Sequence, residues 1–233
     1  MGETVLVVAG ILIALQINNA NEERLERQRE AVFLANLKVD LQFTVRELDR
    51  FIEARERRIE SGQRIIDYFN GRPLDDLNDF AFNSIFVQTW QRYYQNINTY
   101  EELVNSGNLG VISSQPIKSS LMDLGLLYEK MKGDEDHIRF DFEGYVYAPF
   151  FETVDIEPMS ENYAYVISQG QVGSEMPLSR DAIETLLGDI RFKNGFTLVV
   201  YMMRAINSRF AEMRTTAVDL IEQIDRELDG RIE

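Results

Sequence analysis

Apolar residues fall in two patterns along this chain: one unbroken run near the start, and helical stripes everywhere after it. The run is Val5 to Ile17, VLVVAGILIALQI, interrupted only by Gln16. From Asn21 onward, apolar positions recur at three- and four-residue steps. Leu34, Leu37 and Leu41 open a stripe that Val45, Leu48, Ile52, Ile59, Ile66 and Phe69 continue, which predicts one long helix over 21–70. Gly71 and Pro73 stop it in the expected order. A second long helix is predicted over 192–228. Its stripe is Phe196, Val199, Met203, Ile206, Phe210, Met213, Ala217, Leu220 and Ile224.

Shorter elements are expected between the two. Asp75, Asp76 and Asp79 favour a helix start, and Phe82, Phe86, Trp90 and Tyr94 then follow at four-residue spacing, a pattern that reads as core. Thr99 to Glu102 fits a capping box, with a short helix ending at Gly107. Ser114 and Pro116 begin a helix carrying Leu121, Leu124, Leu127, Tyr128 and Met131. Residues 138–148 alternate like a hairpin yet fit an aromatic helix, and helix is the reading preferred here. Asp155 to Leu178, broken by Pro158, Gly170, Gly173 and Pro177, is expected to be irregular. Ser179 and Asp181 cap a short helix ending near Gly188. The fold class is therefore all-α. An N-terminal apolar transmembrane helix (1–20) is expected to continue into an elongated helical bundle (21–233) with two long antiparallel helices.

As a helix the first run spans roughly 20 Å, short of a hydrocarbon core of about 30 Å. No small-residue cleavage site and no basic segment accompany it, so a cleavable signal is disfavoured. Val5, Leu6, Val8, Gly10, Ile11, Leu12, Ile13, Ala14, Leu15 and Ile17 are the expected anchor, with the lipid bilayer as partner. Gly10 and Ala14 form a small-xxx-small pair that allows close helix approach. Asn18, Asn19 and Asn21 then stand at the expected boundary, where they serve headgroups or a partner helix. Arg24, Arg27 and Arg29 follow the run and no Lys or Arg precedes it, which by the positive-inside rule places the following domain in the cytoplasm.

Charge and composition narrow the function. Hydrophobic residues make up 45% and charged residues 27%, the balance of a folded chain. The net charge of −15 argues against nucleic acid as a partner. There is no Cys and a single histidine, His137, so thiolate chemistry and multi-histidine metal sites are excluded. Asp134, Glu135 and Asp136 beside His137 lack the spacing of a calcium loop and read as a solvated turn. Glu101 and Glu102 need only the capping role, and neither the glycines at 107–110 nor GQVGSE at 170–175 has phosphate-loop spacing. No catalytic residues, cofactor or metal are expected, and the chain is read as non-enzymatic. Trp90, Tyr93 and Tyr94 are the candidate ligand or partner contacts.

Residues 5–41, VLVVAGILIALQINNANEERLERQREAVFLANLKVDL, and 99–124, TYEELVNSGNLGVISSQPIKSSLMDL, resemble a family of uncharacterised bacterial membrane-anchored helical proteins. The family carries a VVxGILIALQ-type helix followed by an NxNE segment. It usually has Trp where this chain has Ala20, and a basic, aromatic stretch ahead of the apolar helix. The resemblance implies an N-terminus in the cytoplasm, the bundle outside a bacterial inner membrane in the periplasm, and a native N-terminus that is longer or begins at another start. It implies no activity. The expected role is a single-pass, membrane-anchored accessory subunit or scaffold, acting as a homo-oligomer or within a membrane complex. The alternative is an extracytoplasmic sensor-like domain binding a small ligand between helices.

Overall fold

The computed structural model describes residues 2–89, 91–95, 98–105 and 107–230, with the side chains of 2–6, 9, 103 and 108 outside that description. Every element among them is helical. In order these are α1 (Gly2–Phe69), α2 (Leu77–Gln88), α3 (Asn98–Asn105), a 3₁₀ turn (Asn108–Val111) and α4 (Gln115–Asp141). A π-helical turn (Phe142–Tyr147) leads into α5 (Ala148–Thr153), followed by α6 (Ile156–Ile167), α7 (Arg180–Leu187) and α8 (Ile190–Asp229). The apolar run and the charged stripe helix are thus one element, α1. It ends in a Schellman motif: Gly71 takes φ +102°, the Arg72 amide donates to the Asp67 carbonyl, and the Gly71 amide donates to Tyr68.

The chain divides into two compact units. Unit 1 comprises 1–46, 95–125 and 215–233; unit 2 comprises 47–94 and 126–214. In unit 1, Leu34, Leu37 and Leu41 of α1 are buried with Ile117, Leu121 and Leu124 of α4 and Leu220 and Ile224 of α8. Polar ties hold the short elements to α1. The buried Glu30 carboxylate accepts from both the backbone amide and the hydroxyl of Ser113, just before α4. Asp40 accepts from the Thr99 amide at 3.0 Å. On the other flank Lys38 donates to Asp225. In unit 2, α1 and α8 run in opposite directions. Asp49 pairs with Arg214, the Ile52 carbonyl with Asn207, and Asn70 with Lys193. Gly62 fits beneath Val200, where a Cβ would come within 2.5 Å of the valine methyl.

Three expectations are corrected and one, the helix over 138–148, is borne out with a local change of winding. Thr99 lies inside α3 and not at its cap, because its amide is satisfied by Asp40. The stretch after Asp155 is not irregular throughout. Asp155 caps α6 by accepting from the Glu157 amide, and Pro158 sits in the first turn, where a missing N–H costs nothing. The segment 138–148 is helical, as preferred, but with a π turn in it. The aromatic stripe from Phe82 does not run on: α2 ends at Gln88, and its buried positions are Phe80, Ala81, Asn83, Ser84 and Val87. Phe82 and Phe86 are half-buried and stack at 5.7 Å, with Tyr163 of α6 5.5 Å from Phe82.

Candidate functional site

The most unusual chemistry in unit 2 grows from consecutive acids on α4. Successive helical residues point about 100° apart, so three in a row fan towards three neighbours. Asp134 pairs with Arg209 of α8, Glu135 with Arg55 of α1, and Asp136 with Arg92 in the extended segment after α2. His137, exposed, lies 3.6 Å from Asp141 one turn on. Asp136 and His137 are solvated as expected, but Glu135 is not. Glu135 is 0% exposed and Arg55 3%, and the two side chains are hydrogen-bonded in the core. Arg55 also lies 4.6 Å over the Phe210 ring, and Arg92 stands 3.8 Å from the second Glu135 oxygen. Burial raises the Glu135 carboxyl above its ordinary range, opposed by Arg55, by the Tyr93 backbone amide and by Arg92.

Beyond this pair lies an open cleft of about 490 Å³, lined by Arg92, Tyr94, Arg139, Phe142, Glu143 and Tyr147. One wall is the π turn, a wider coil than an α-helix and frequent at functional sites. Gly195 of α8 permits it, since a Cβ there would sit 2.5 Å from the Tyr145 carbonyl oxygen. Arg139 donates to Glu143 at 3.0 Å, and the Tyr147 hydroxyl donates to the Gln88 carbonyl at 3.0 Å. Burial pushes the Tyr147 phenol up, Glu143 adds to the effect and Arg139 opposes it. Both guanidiniums are paired with carboxylates, Arg92 with Asp136 and Arg139 with Glu143, so the cleft offers aromatic faces beside charge-compensated arginines, which suit a planar group. Among the described residues no group of three or more His, Asp or Glu is placed to hold a metal ion.

Of the three candidate aromatics, Tyr94 lines this cleft and is 74% exposed. Tyr93 does not: it is 1% exposed, packed edge-on against Phe51 and Phe210. Trp90 lies outside the described residues. Arg55, Arg92 and Arg209 were missed by sequence reasoning. One signal was present for Arg55, which falls seven residues after Leu48 in the buried register of α1.

The other candidate region is the start of α1. Val7, Val8, Ile11, Leu12, Ile13, Leu15 and Ile17 are each at least half exposed, while the side chains of Val5 and Leu6 lie outside the described residues. Ala14 is exposed, and the space beside Gly10 is open. Among the described residues no helix is long and apolar enough to cross a membrane, so the expected transmembrane span is not found there. The side chains of 2–6 and 9, which include the start of the run, lie outside the described ones. Asn18 donates to Glu22 at 2.8 Å and Asn21 accepts from Arg24 at 3.1 Å, contacts local to the helix.

Comparison with known families gives one match: residues 3–155 fit the model of a family of unknown function, DUF6090. The chain belongs to that family. The matched stretch takes in α1 from its second residue on and the α4 acids, so the apolar run, the Arg55–Glu135 pair and every residue lining the cleft lie within the DUF6090 region. No curated protein and no solved structure matches the chain.

Proposed function

We propose that this DUF6090 protein is a membrane-anchored, non-enzymatic helical scaffold that assembles with itself or with other membrane subunits. The observation that carries the reading is the exposure of the apolar side chains from Val7 to Ile17. At 100° per residue they point in every direction around α1. A helix that is apolar all round belongs where something apolar surrounds it. Such a short run reaches across hydrocarbon only with flanking residues or local thinning of the bilayer. The net charge of −15 disfavours binding to anionic lipid by charge alone, which leaves the apolar run as the attachment. The resemblance favours a single pass through a bacterial inner membrane with the helical units in the periplasm.

Fractionation of cells expressing the full chain tests this. The protein should stay in the carbonate-washed membrane pellet, and Ile11→Arg with Leu15→Arg should release it with helical content unchanged. A wild-type chain wholly in the aqueous fraction overturns the anchor. Protease cleavage in intact spheroplasts decides sidedness. A second reading, a sensor-like domain, is favoured by the cleft at Tyr94, Arg92 and Arg139. It requires a metabolite that raises the melting temperature of the wild type and fails to do so in Arg139→Ala.

A further inference from the structure

α1 has two apolar faces in unit 1, and only one is covered. The inward face, Glu30, Leu34, Leu37, Leu41 and Thr44, is buried within the unit. On the opposite side Leu25, Val32 and Val39 are 42%, 61% and 62% exposed. They are spaced by seven, and the same register holds Ile11 and Asn18 before them, both exposed. After them it holds Arg46, Glu53 and Glu60, also exposed. The charged positions are what a solvated helix face should carry; the apolar ones before them are not.

We infer that this outward stripe is the seam of a parallel, two-stranded coiled coil between two copies of the chain. The inference rests on the membrane-anchored reading, and four arguments select a second copy as the occupant. A strict seven-residue stripe drifts about 20° per heptad on a straight helix, and stays on one line only when two helices supercoil. Valine at two successive positions, and Asn18 earlier in the same register, are residue types found at one core position of parallel two-stranded coils, where such an asparagine fixes the register. Copies anchored in one bilayer by the start of α1 present this stripe side by side, in the same direction and at the same height. A two-fold axis then pairs each residue with its own counterpart. The seam is also weak in the way a membrane-assisted dimer allows. Gln28, Ala35 and Gln42, at the alternate seam positions, are polar or small and exposed, so confinement in the bilayer must supply concentration. Arg24 and Arg29 flank the stripe, so added salt should strengthen the pairing.

The absence of cysteine allows a direct test on the full chain in native membranes. Single substitutions to Cys are made at each position from 24 to 40 and oxidised with copper phenanthroline. Dimer bands should peak at Leu25→Cys, Val32→Cys and Val39→Cys. A flat profile, a peak on another face, or cross-links to a protein of different mass overturns the inference. In lipid vesicles, Val32→Lys with Val39→Lys should raise the dimer dissociation constant roughly a hundredfold, about tenfold for each valine lost from the seam. Because both sites are exposed, far-UV circular dichroism should not change, and an unchanged dimer mass refutes the seam. Fractionating the same samples separates the two claims. A pelleted protein without the seven-residue period keeps the anchor and sinks the dimer, whereas the period in an aqueous protein keeps the dimer and sinks the anchor.

Discussion

Glu135→Gln should be among the most damaging single substitutions in unit 2, because it removes the charged carboxylate facing a buried guanidinium that cannot give up its proton. Arg55 is 3% exposed and rests on the Phe210 ring. Removing the charged partner of a buried pair costs about 3–5 kcal/mol. The reverse deletion, Arg55→Met, should cost less, about 1–3 kcal/mol, because a carboxyl can take up a proton and a guanidinium cannot lose one. Replacing both, with Arg55→Met and Glu135→Leu, should return stability to within about 1 kcal/mol of wild type or above it. The pH dependence carries the sign. In Arg55→Met, burial acts on Glu135 with only the Tyr93 amide and Arg92 left to oppose it, and the carboxyl is already raised in the wild type. A carboxyl with a raised folded-state pKa adds stability below its ordinary value of about 4.3 and loses it as pH rises through the folded value. The Arg55→Met penalty should therefore be small near pH 4 and grow towards pH 7, while the Glu135→Gln penalty should not follow that course. Urea unfolding of the full chain, followed by circular dichroism at several pH values, reads all three variants. If Glu135→Gln costs less than about 1 kcal/mol, or the double variant is no better than the worse single one, the pair is not a sealed unit and the reasoning fails.

Gly195→Ala should destabilise unit 2 by about 1–3 kcal/mol, since its Cβ would meet the Tyr145 carbonyl at 2.5 Å and backbone must move. Gly133→Ala, in α4 with open space around it, should instead stabilise by up to about 1 kcal/mol, and thermal melts of the two compare them directly. Tyr68, which burial and its 2.7 Å hydrogen bond to Asp79 push up to about 12, should resist ionisation in an ultraviolet pH titration. Burial works to raise Asp79 as well, but its bonds to Tyr68 and Arg64 and the charge of Arg72 hold it below the ordinary range. Asp79→Asn should therefore lower the Tyr68 value part of the way, and wild-type stability should decline between about pH 10 and 12.

The helices were legible because their stripes are long. A stripe repeated over many turns leaves one periodicity in play, as with Phe196 to Ile224, all of which are buried in α8. What stayed hidden depended on contacts far apart in the chain. Asp134, Glu135 and Asp136 look like a solvated run because most charge runs are solvated. Their partners Arg209, Arg55 and Arg92 lie 75, 80 and 44 residues away. Pro158 misled in the opposite direction, since proline breaks a helix interior but is tolerated in a first turn, and only the Asp155 cap separates the two cases.

The outward stripe of α1 was missed for a different reason. Leu34, Leu37 and Leu41 form a complete seam by themselves and account for the helix without a second one. Yet Val32 and Val39 sit two residues before Leu34 and Leu41, about 200° away on the helix, and cannot share their core. One long helix in unit 1 thus meets two apolar demands. Its own unit covers the inward one, and the outward one ends at Arg46, where the same register becomes charged. A helix selected only to hold its own unit together would have no reason to carry Leu25, Val32 and Val39 in one outward register that turns charged at Arg46.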